Sequence, residues 1–259
     1  MDLGIAGRKA IVCASSAGLG RACALELARA GVDVVVNGRD AAKLAETAAA
    51  IRAETGVTVT EVVGDLSTDE GRTALLAACP DPDILVNNNG GPPLKPYTEL
   101  EADGIRAGVE ANFVTPALLI QAVLPGMVER GFGRVVNITS GSVKMPLPGL
   151  DLSSGARAGL TGFVAGIARQ VAGANVTING LLPGSFDTAR IASMAEAAAK
   201  KNGTTPAEEK AKRAASIPAK RIGDPAEFGA ACAFLCSDKA GFITGQSLLI
   251  DGGAFPGIL

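Results

Sequence analysis

The chain has 259 residues, of which 47% are hydrophobic and 19% are charged, and its formal net charge is -2. This length suits one α/β domain with a sizeable core, and the composition excludes a chain that is disordered over most of its length. Because no basic stripe interrupts the mixed charges, we expect neither nucleic acid nor an anionic membrane as partner, and small molecules are favoured.

The absence of histidine, the spacing of the cysteines and the short apolar runs exclude further classes of function. The chain contains no histidine, which excludes a Ser-His-Asp triad and a histidine general base and removes the commonest metal ligand. Its 5 cysteines form no CxxC pair, so we expect buried reduced thiols and no metal site. No uninterrupted apolar run is long enough to span a membrane, and the first residues do not resemble a signal peptide. We therefore expect a cytoplasmic protein.

Apolar strands alternate with helices along the chain. The predicted strands cover residues 9–13, 32–36, 57–63, 84–86, 134–138, 176–181 and 247–250. The predicted helices cover residues 21–30, 40–55, 68–78, 103–129, 153–171 and 225–236, the second of them capped by Asp40. Repeated βα units with continuously apolar strands predict a Rossmann-type, doubly wound parallel sheet of about seven strands, with helices on both faces, in a single domain over residues 1–259.

The segment from about 188 to 221 interrupts this alternation. It is rich in Ala, Lys and Glu and is predicted to form a helix, a turn and a helix. A solvated insertion would have this composition, but the segment follows the carboxyl end of a strand, where a substrate lid is also expected. Both interpretations stay open.

A loop of small residues joins the first strand to the first helix. Such a loop lets backbone N–H groups approach a pyrophosphate, while the helix N-terminus attracts its charge. A tight turn would also be rich in glycine, but the position in the first βαβ unit favours dinucleotide binding. The expected contacts are Ser15, Ser16, Gly18, Leu19 and Gly20.

Several motifs in the same order resemble the short-chain dehydrogenase/reductase family over nearly the whole chain. The matching stretches are residues 13–20 for the family's TGxxxGxG, 87–90 for its NNAG, 183–188 for its PGxxxT, and 221–227 and 244–253 near the C-terminus, with Asn112 as its helix asparagine. The resemblance implies hydride transfer between a nicotinamide and a carbonyl/alcohol pair of a small molecule, as in 3-oxoacyl reductases.

The resemblance also implies which residues bind the cofactor. They are Asp65 and Leu66 at the adenine, Asn88, Asn89 and Gly90 after the fourth strand, and Pro183, Gly184, Phe186 and Thr188 at the nicotinamide. Two residues depart from the family pattern. Ala14 replaces the first glycine, which causes no strain only if its φ is negative, and Asn89 places an amide against the ribose.

The end of the second strand bears on the choice of cofactor. An acid there would hold the ribose diol of NAD and repel a 2′-phosphate, but this chain has Gly38 and Arg39. Arg39 as a phosphate ligand favours NADP(H), with NAD(H) possible. Alternatively, Arg39 pairs with Asp40 or Glu61 on the surface.

Of the four catalytic positions implied by the resemblance, two carry the expected residue and two do not. Ser140 stands where relatives polarise the carbonyl, and Asn112 where they order water. Ser153 and Arg157, however, replace the tyrosine that moves the proton and the lysine that holds the ribose. An aliphatic hydroxyl is a far weaker acid than a phenol, whereas Arg157 keeps the charge and can still bond ribose hydroxyls.

Three groups remain as candidates for the missing acid. Lys144 follows Ser140, and desolvation would lower its pKa, but it is equally a solvated loop lysine. Tyr97, which follows the loop at residues 90–93, is equally a hydrophobic plug. The third candidate is a water held by Ser140, Ser153 and Asn112.

Two functions are consistent with this pattern. The first is an NADP(H)-dependent oxidoreductase with an atypical proton donor. The alternative is a catalytically silent dinucleotide-binding sensor or assembly protein. Halohydrin dehalogenases also carry an arginine at the lysine position, but they need the tyrosine and lack the nucleotide loop. This chain keeps the loop and lacks the tyrosine, so we reject a halohydrin dehalogenase.

Small residues on the helix at 155–166 would allow close packing, and relatives use this helix in their dimer and tetramer contacts, so a homo-oligomer is expected.

Overall fold

Seven parallel strands form one sheet in the computed structural model, which describes residues 1–91 and 94–257. The strands are β1 (Lys9–Val12), β2 (Asp33–Gly38), β3 (Val59–Val63), β4 (Ile84–Asn87), β5 (Gly133–Ile138), β6 (Val176–Pro183) and β7 (Ser247–Ile250). Their order is β3-β2-β1-β4-β5-β6-β7. This confirms the predicted Rossmann-type sheet.

The strand order reverses between β1 and β4. The chain runs outward from β1 to β3, returns to place β4 beside β1, and then builds outward on the other side. At such a reversal the loops after the two central strands separate and leave a crevice at the carboxyl edge of the sheet. The predicted nucleotide loop follows β1, and residues 88–90 follow β4, so both lie at this crevice.

Helices cover both faces of the sheet. They are α1 (Gly18–Arg29), α2 (Ala41–Thr55), α3 (Asp69–Ala78), α4 (Ala102–Val109), α5 (Thr115–Glu129), α6 (Asp151–Val171), α7 (Ala189–Asn202), α8 (Pro206–Ser216) and α9 (Pro225–Leu235). Alternate residues of β2 point to opposite faces: Val34 and Val36 pack in the core under α1, α2 and α9, and Val35 packs in the core under α5 and α6. Strands buried on both sides explain the continuously apolar pattern.

The long helix predicted over 103–129 is not continuous. A π-helical segment, Glu110–Val114, separates α4 from α5 and carries Asn112. The Asn112 side chain donates from Nδ2 to the Gly108 carbonyl at 3.2 Å, in competition with the regular backbone bonds of the helix. No local pattern in the sequence predicts this bulge.

The whole of Ala102–Glu129 is long and apolar enough to cross a membrane by length and composition alone, a test that a core helix also passes. Leu119, Ile120 and Met127 are buried in the core under the sheet, so this packing identifies a core helix.

Caps and a surface ion pair fix several helix ends. Asp40 accepts from the backbone N–H of Lys43 at 3.1 Å, which confirms its predicted role. At the start of α9, Asp224 and Glu227 form a reciprocal capping box. Both carboxylate oxygens of Glu227 also accept from Arg221, at 2.6 Å each. The bonds from Arg221, and then the backbone N–H of Asp224, lower the pKa of Glu227 to about 2.

This depressed pKa predicts an acid-dependent loss of stability. The carboxylate of Glu227 stabilises the fold above its unfolded pKa of about 4.3, and the contribution is lost as the pH falls towards about 2. We expect Glu227→Gln to lower Tm at pH 7 and the difference from wild type to shrink towards pH 2 in thermal melts. Glu196→Gln on the exposed face of α7 should show no such convergence. A constant difference for Glu227→Gln across this range would contradict the prediction.

Candidate functional site

Two clefts meet at the carboxyl edge of the sheet. One, of about 230 Å³, lies beside the ends of β2 and β3. The other, of about 470 Å³, lies over the ends of β5 and β6 and beneath α7 and α8. Asn88, Asn89 and Gly90 line both clefts. The result is one continuous groove across the point where the strand order reverses.

The β1–α1 loop is shaped for close approach of a ligand. A Cβ added to Gly20 would lie 2.4 Å from the Ala14 carbonyl oxygen, so only glycine fits there. Asn88 donates to the same carbonyl at 3.2 Å and ties this loop to the end of β4. Ala17 provides no side-chain cap for α1, so its first N–H groups are left to bind an anion. Gly18 and Leu19 line the larger cleft at this helix start.

Ser15 differs from the expectation of a cofactor contact. It is fully buried; its hydroxyl donates to the Val12 carbonyl at 2.7 Å and its backbone N–H donates to the Asn37 carbonyl at 2.7 Å. Ser16, in contrast, lines the smaller cleft. The buried side chain of Asn37 holds the loop by accepting from Ala14 N and donating to Val62 and Gly64. The sequence analysis did not identify Asn37, although a single polar residue at the end of an apolar strand is typical of a side chain that holds a neighbouring loop.

Ala14 adopts a left-handed backbone. Its φ is +44°, so the condition under which alanine would fit without strain is not met. A Cβ in this region crowds the following carbonyl at a cost of roughly 1–2 kcal/mol. The chain therefore tolerates strain at the position where the family has glycine.

The smaller cleft carries Arg39. Its guanidinium is 78% exposed and lies 3.7 Å from Asp65, which also lines the cleft. The alternative partners considered for Arg39 are wrong, because Asp40 pairs with Lys43 and Glu61 pairs with Arg52. Leu66 and Gly38 complete this wall.

Gly38 leaves no room for an acid at the end of β2. A Cβ added there would lie 2.8 Å from both side-chain atoms of Ser16. The position that would hold a ribose diol through a carboxylate is therefore closed to side chains, and the only charged groups on this wall, among the residues that the structure describes, are Arg39 and Asp65.

Arg157 is a buried cation between the ends of β4 and β5. Its Nη1 donates to the carbonyls of Ile138, at 3.0 Å, and Thr139, and its Nη2 donates to the Asn89 carbonyl at 3.4 Å. Burial, and then the positive charge of Arg190, lower the pKa of its guanidinium to about 10. A guanidinium has five N–H groups. Three of them are used in these bonds, and the N–H of Nε is buried without a partner. The second N–H of Nη2 is therefore left for a ligand in the clefts.

A small cavity of about 20 Å³ lies beside Arg157 and Asn112. That volume suits one water molecule, and the wall is polar enough to hold it. The amide of Asn89 does not point along the groove as expected; it donates to the Ala111 carbonyl of the π-helical segment at 3.1 Å and also lines this cavity.

Ser140 and Ser153 both line the larger cleft. The Ser140 hydroxyl oxygen accepts from the backbone N–H of Ser142 at 3.1 Å and lies 2.9 Å from the Ser142 hydroxyl. An oxygen that accepts both bonds has its own hydrogen left to donate to a ligand. Ser142 therefore orients Ser140, a role that sequence reasoning did not assign.

Lys144 and Tyr97 lie apart from these groups. Lys144 is exposed, and Tyr97 is 78% exposed in a short helical turn, Tyr97–Glu99. Neither lines the larger cleft. Pro92 and Pro93, in the loop before Tyr97, lie outside the described residues.

The far end of the larger cleft is formed by the loop after β6. Pro183, Gly184, Phe186 and Thr188 all line it, and a Cβ added to Gly184 would lie 2.6 Å from Asp251. Phe186 is fixed by an edge-to-face contact with Phe228. From the 188–221 segment, Arg190 and Arg213 also reach the cleft; sequence reasoning missed both, because nothing separates them from the other charges of that segment.

Comparisons with known proteins agree with this geometry. The family model described as enoyl-(acyl carrier protein) reductase matches residues 13–254. The chain is 33% identical to a (2S)-[(R)-hydroxy(phenyl)methyl]succinyl-CoA dehydrogenase subunit of Thauera aromatica over 95% of this chain and 94% of the relative. It is 32% identical to the 3-oxoacyl-[acyl-carrier-protein] reductase of Pseudomonas aeruginosa over 98% of this chain and 99% of the relative.

Solved structures show the same similarity. L-sorbose reductase from Gluconobacter frateurii, complexed with NADPH and L-sorbose, superposes with a TM-score of 0.94 at 29% identity, covering 100% of both chains.

The strained backbone at Ala14 predicts a stabilising substitution. We expect Ala14→Gly to raise the free energy of unfolding by up to about 1 kcal/mol, because relief of the left-handed strain exceeds the added freedom of the unfolded chain. Ala49→Gly, the same change on the exposed face of α2, should lower it by about 1 kcal/mol. Urea denaturation measures both. A loss of stability in Ala14→Gly would show that the loop does not strain the native protein.

Proposed function

Because the chain belongs to the short-chain dehydrogenase/reductase family, we propose that it is an NADP(H)-dependent oxidoreductase acting on a carbonyl or alcohol group of a small molecule. The observation that carries this proposal is the continuous groove, in which a glycine-tight loop and an uncapped helix start lie between the two clefts. A dinucleotide has the matching form, with two nucleoside ends joined by a pyrophosphate.

The described residues fit each part of the cofactor. The smaller cleft would take the adenosine half, the start of α1 the pyrophosphate, and the loop after β6 the nicotinamide. The available N–H of Arg157 would bond the nicotinamide ribose. When bound, NADPH supplies the hydride, and the protein's task is to orient the carbonyl and deliver a proton.

The preference for NADP(H) over NAD(H) rests on the wall at Gly38 and Arg39. The exposed guanidinium of Arg39 can turn from Asp65 to a 2′-phosphate, which is a stronger partner for a bidentate cation. No carboxylate fits at Gly38 to favour a free ribose diol. The sorbose reductase structure, which contains NADPH, supports the same choice.

The proton source is the atypical part of the proposal. Ser140 would donate its oriented hydroxyl hydrogen to the substrate oxygen. A water in the small cavity beside Asn112 and Arg157, which shares Arg157 and Asn89 with the larger cleft, would then return a proton to Ser140 and take one from bulk solvent in turn. Ser153 contributes a hydroxyl to the same wall. Lys144 and Tyr97 would need to move to take part, so the water route is favoured.

A second candidate is a dinucleotide-binding protein without catalysis. It is favoured by Arg157, three of whose N–H groups are engaged with backbone carbonyls, and by the replacement of the tyrosine with Ser153. The Thauera relative is named as one subunit of a dehydrogenase.

Three further features belong to the proposal. The α7–α8 segment would act as a substrate lid, since Ile191, Met194 and Ile217 from it line the larger cleft. A homo-oligomer would form through α6, where a Cβ added to Gly162 or Gly166 meets nothing within 4 Å in this protomer. A cytoplasmic location is supported by the cysteines, all of which are buried and free.

Cofactor choice gives the first test. We expect wild type to bind NADPH about tenfold or more tightly than NADH, and Arg39→Gln to lose most of that preference by weakening NADPH alone, since a bond to a charged group is worth roughly 1.5–3 kcal/mol. Lys43→Gln, a nearby cation that does not line the cleft, is the matched control. Fluorescence titration measures the six Kd values, two for each of the three proteins. Equal weakening of both cofactors would refute the role of Arg39.

Catalysis gives the second test. If Ser140 donates to the reacting oxygen, Ser140→Ala should lower kcat for a 3-oxoacyl substrate by about 100-fold or more and leave the Kd for NADPH unchanged. Ser154→Ala is the control, since its hydroxyl is bonded to the Leu150 carbonyl within α6. Turnover that is unaffected by Ser140→Ala would refute the role of Ser140. Turnover that is absent in wild type with 3-oxoacyl thioesters and simple ketones would favour the silent dinucleotide-binding protein.

A further inference from the structure

The larger cleft is positively charged, although the whole chain has a formal net charge of -2. Among the residues that the structure describes, its charged lining consists of Arg157, Arg190, Arg213 and Asp251. The Asp251 carboxylate accepts from the backbone N–H of Gly253, at 2.9 Å, and of Phe255, at 2.8 Å. It therefore fixes the C-terminal turn and forms an ion pair with none of the three arginines within the described chain.

Two of the three arginines lie where the cofactor is expected. Arg157 lies beneath the expected position of the nicotinamide ribose. Arg190 donates to the Gly91 carbonyl at 3.3 Å, beside the groove residue Gly90 and near the pyrophosphate position. Both positions match parts of a dinucleotide that are anionic or rich in hydroxyls.

Arg213 lies elsewhere. It is half-buried on α8, and its Nη1 donates to the Ser185 hydroxyl at 3.3 Å. Ser185 belongs to the loop that would face the nicotinamide ring, where a dinucleotide carries no phosphate. Arg213 also takes part in none of the ion pairs found within residues 1–91 and 94–257. A half-buried cation at this end of the cleft therefore faces the space left for the substrate.

The rest of that space is mostly apolar. Met145, Leu147, Leu150, Met194, Ile217 and Phe255 line it. A cation at the edge of an apolar cleft recognises a molecule with a hydrophobic or small carbonyl part and an anionic group at a fixed distance from it.

We propose that Arg213 binds an anionic group of the substrate, so that the protein selects carbonyl compounds that carry a carboxylate or a phosphate over neutral compounds of the same skeleton. The inference rests on the proposed oxidoreductase function for its turnover measurements, but its binding measurements do not require turnover. Arg213 is assigned here as a specificity-determining residue. The reduction itself takes place at Ser140.

One carbon skeleton with three charge states provides the test. Ethyl acetoacetate is neutral, acetoacetate carries a carboxylate, and acetoacetyl-CoA carries phosphates. Binding is measured by calorimetry on the NADP⁺ complex, which cannot reduce a ketone, and turnover is measured with NADPH. A preference for acetoacetate identifies the carboxylate as the anionic group, and a preference for acetoacetyl-CoA alone identifies the phosphates.

Arg213→Gln should weaken binding of the preferred anionic compound, and lower its kcat/KM, about tenfold or more, with ethyl acetoacetate changed less than about twofold. Arg213→Lys should restore part of the loss, because it keeps the charge. Lys212→Gln, which removes the neighbouring cation on α8 outside the cleft, should behave as wild type. The Kd for NADPH should stay the same in all three variants.

The outcomes separate this inference from the proposed function. Charge-selective binding without turnover would sustain the role of Arg213 and reject the oxidoreductase. Turnover with no preference for anionic compounds, or an Arg213→Gln variant that loses the ester and the anions equally, would overturn the role of Arg213 and leave the oxidoreductase intact.

Discussion

The site depends on how one buried positive charge is accommodated. Arg157 lies between the ends of β4 and β5 and takes part in no ion pair with an acid among the described residues. Its solvation is replaced by the carbonyls of Ile138, Thr139 and Asn89, which belong to two different strand ends. Removing the guanidinium would leave these carbonyls without a donor. The shape of the groove at its centre is therefore set by Arg157.

Burying the charge of Arg157 costs free energy, and this cost links ligand binding to the stability of the fold. Burial and the nearby Arg190 lower the pKa of Arg157, which means that the fold disfavours its cationic form, although it stays charged at neutral pH. A nearby anion would offset this penalty. Under the proposed function, the positive cleft of this net-negative protein would be completed by its ligands, first by the cofactor phosphates at the start of α1 and then, under the inference above, by the substrate at Arg213.

The fold was predictable because its signals are local and repeated. Continuously apolar strands, the Asp40 cap and the small-residue loop each follow from a few neighbouring residues, and all are present where expected. The π-helical segment at Asn112 and the left-handed backbone of Ala14 were not, because each is fixed by a contact between distant parts of the chain. Ala14 is held by Asn37 from β2 and by Asn88, which follows β4, and spacing alone does not reveal these partners.

The site was predictable in position and less so in detail. Ser140, Ser153 and Arg157 do line one cleft, as their spacing along the chain suggested. The hydroxyl of Ser15, however, is occupied by hydrogen bonds to the backbone of Val12 and Asn37. Arg213 reaches the cleft only because α8 folds back over the loop after β6. A charge in an Ala, Lys and Glu-rich helix has no sequence feature that distinguishes a solvated side chain from one in a cleft.

Ser153 stands where a tyrosine was expected, so the proposed reaction would depend on Ser140, Arg157 and water. Reduction develops negative charge on the substrate oxygen, which the Ser140 hydroxyl and the nearby Arg157 cation would stabilise as the Ser140 proton is transferred and then replaced through water. Oxidation requires a base to take the alcohol proton, and the one carboxylate among the described residues of the cleft, Asp251, is held by two backbone N–H groups. The groups that deliver the proton in reduction must accept it in oxidation, so Ser140 and its water, and not a carboxylate, would serve both directions.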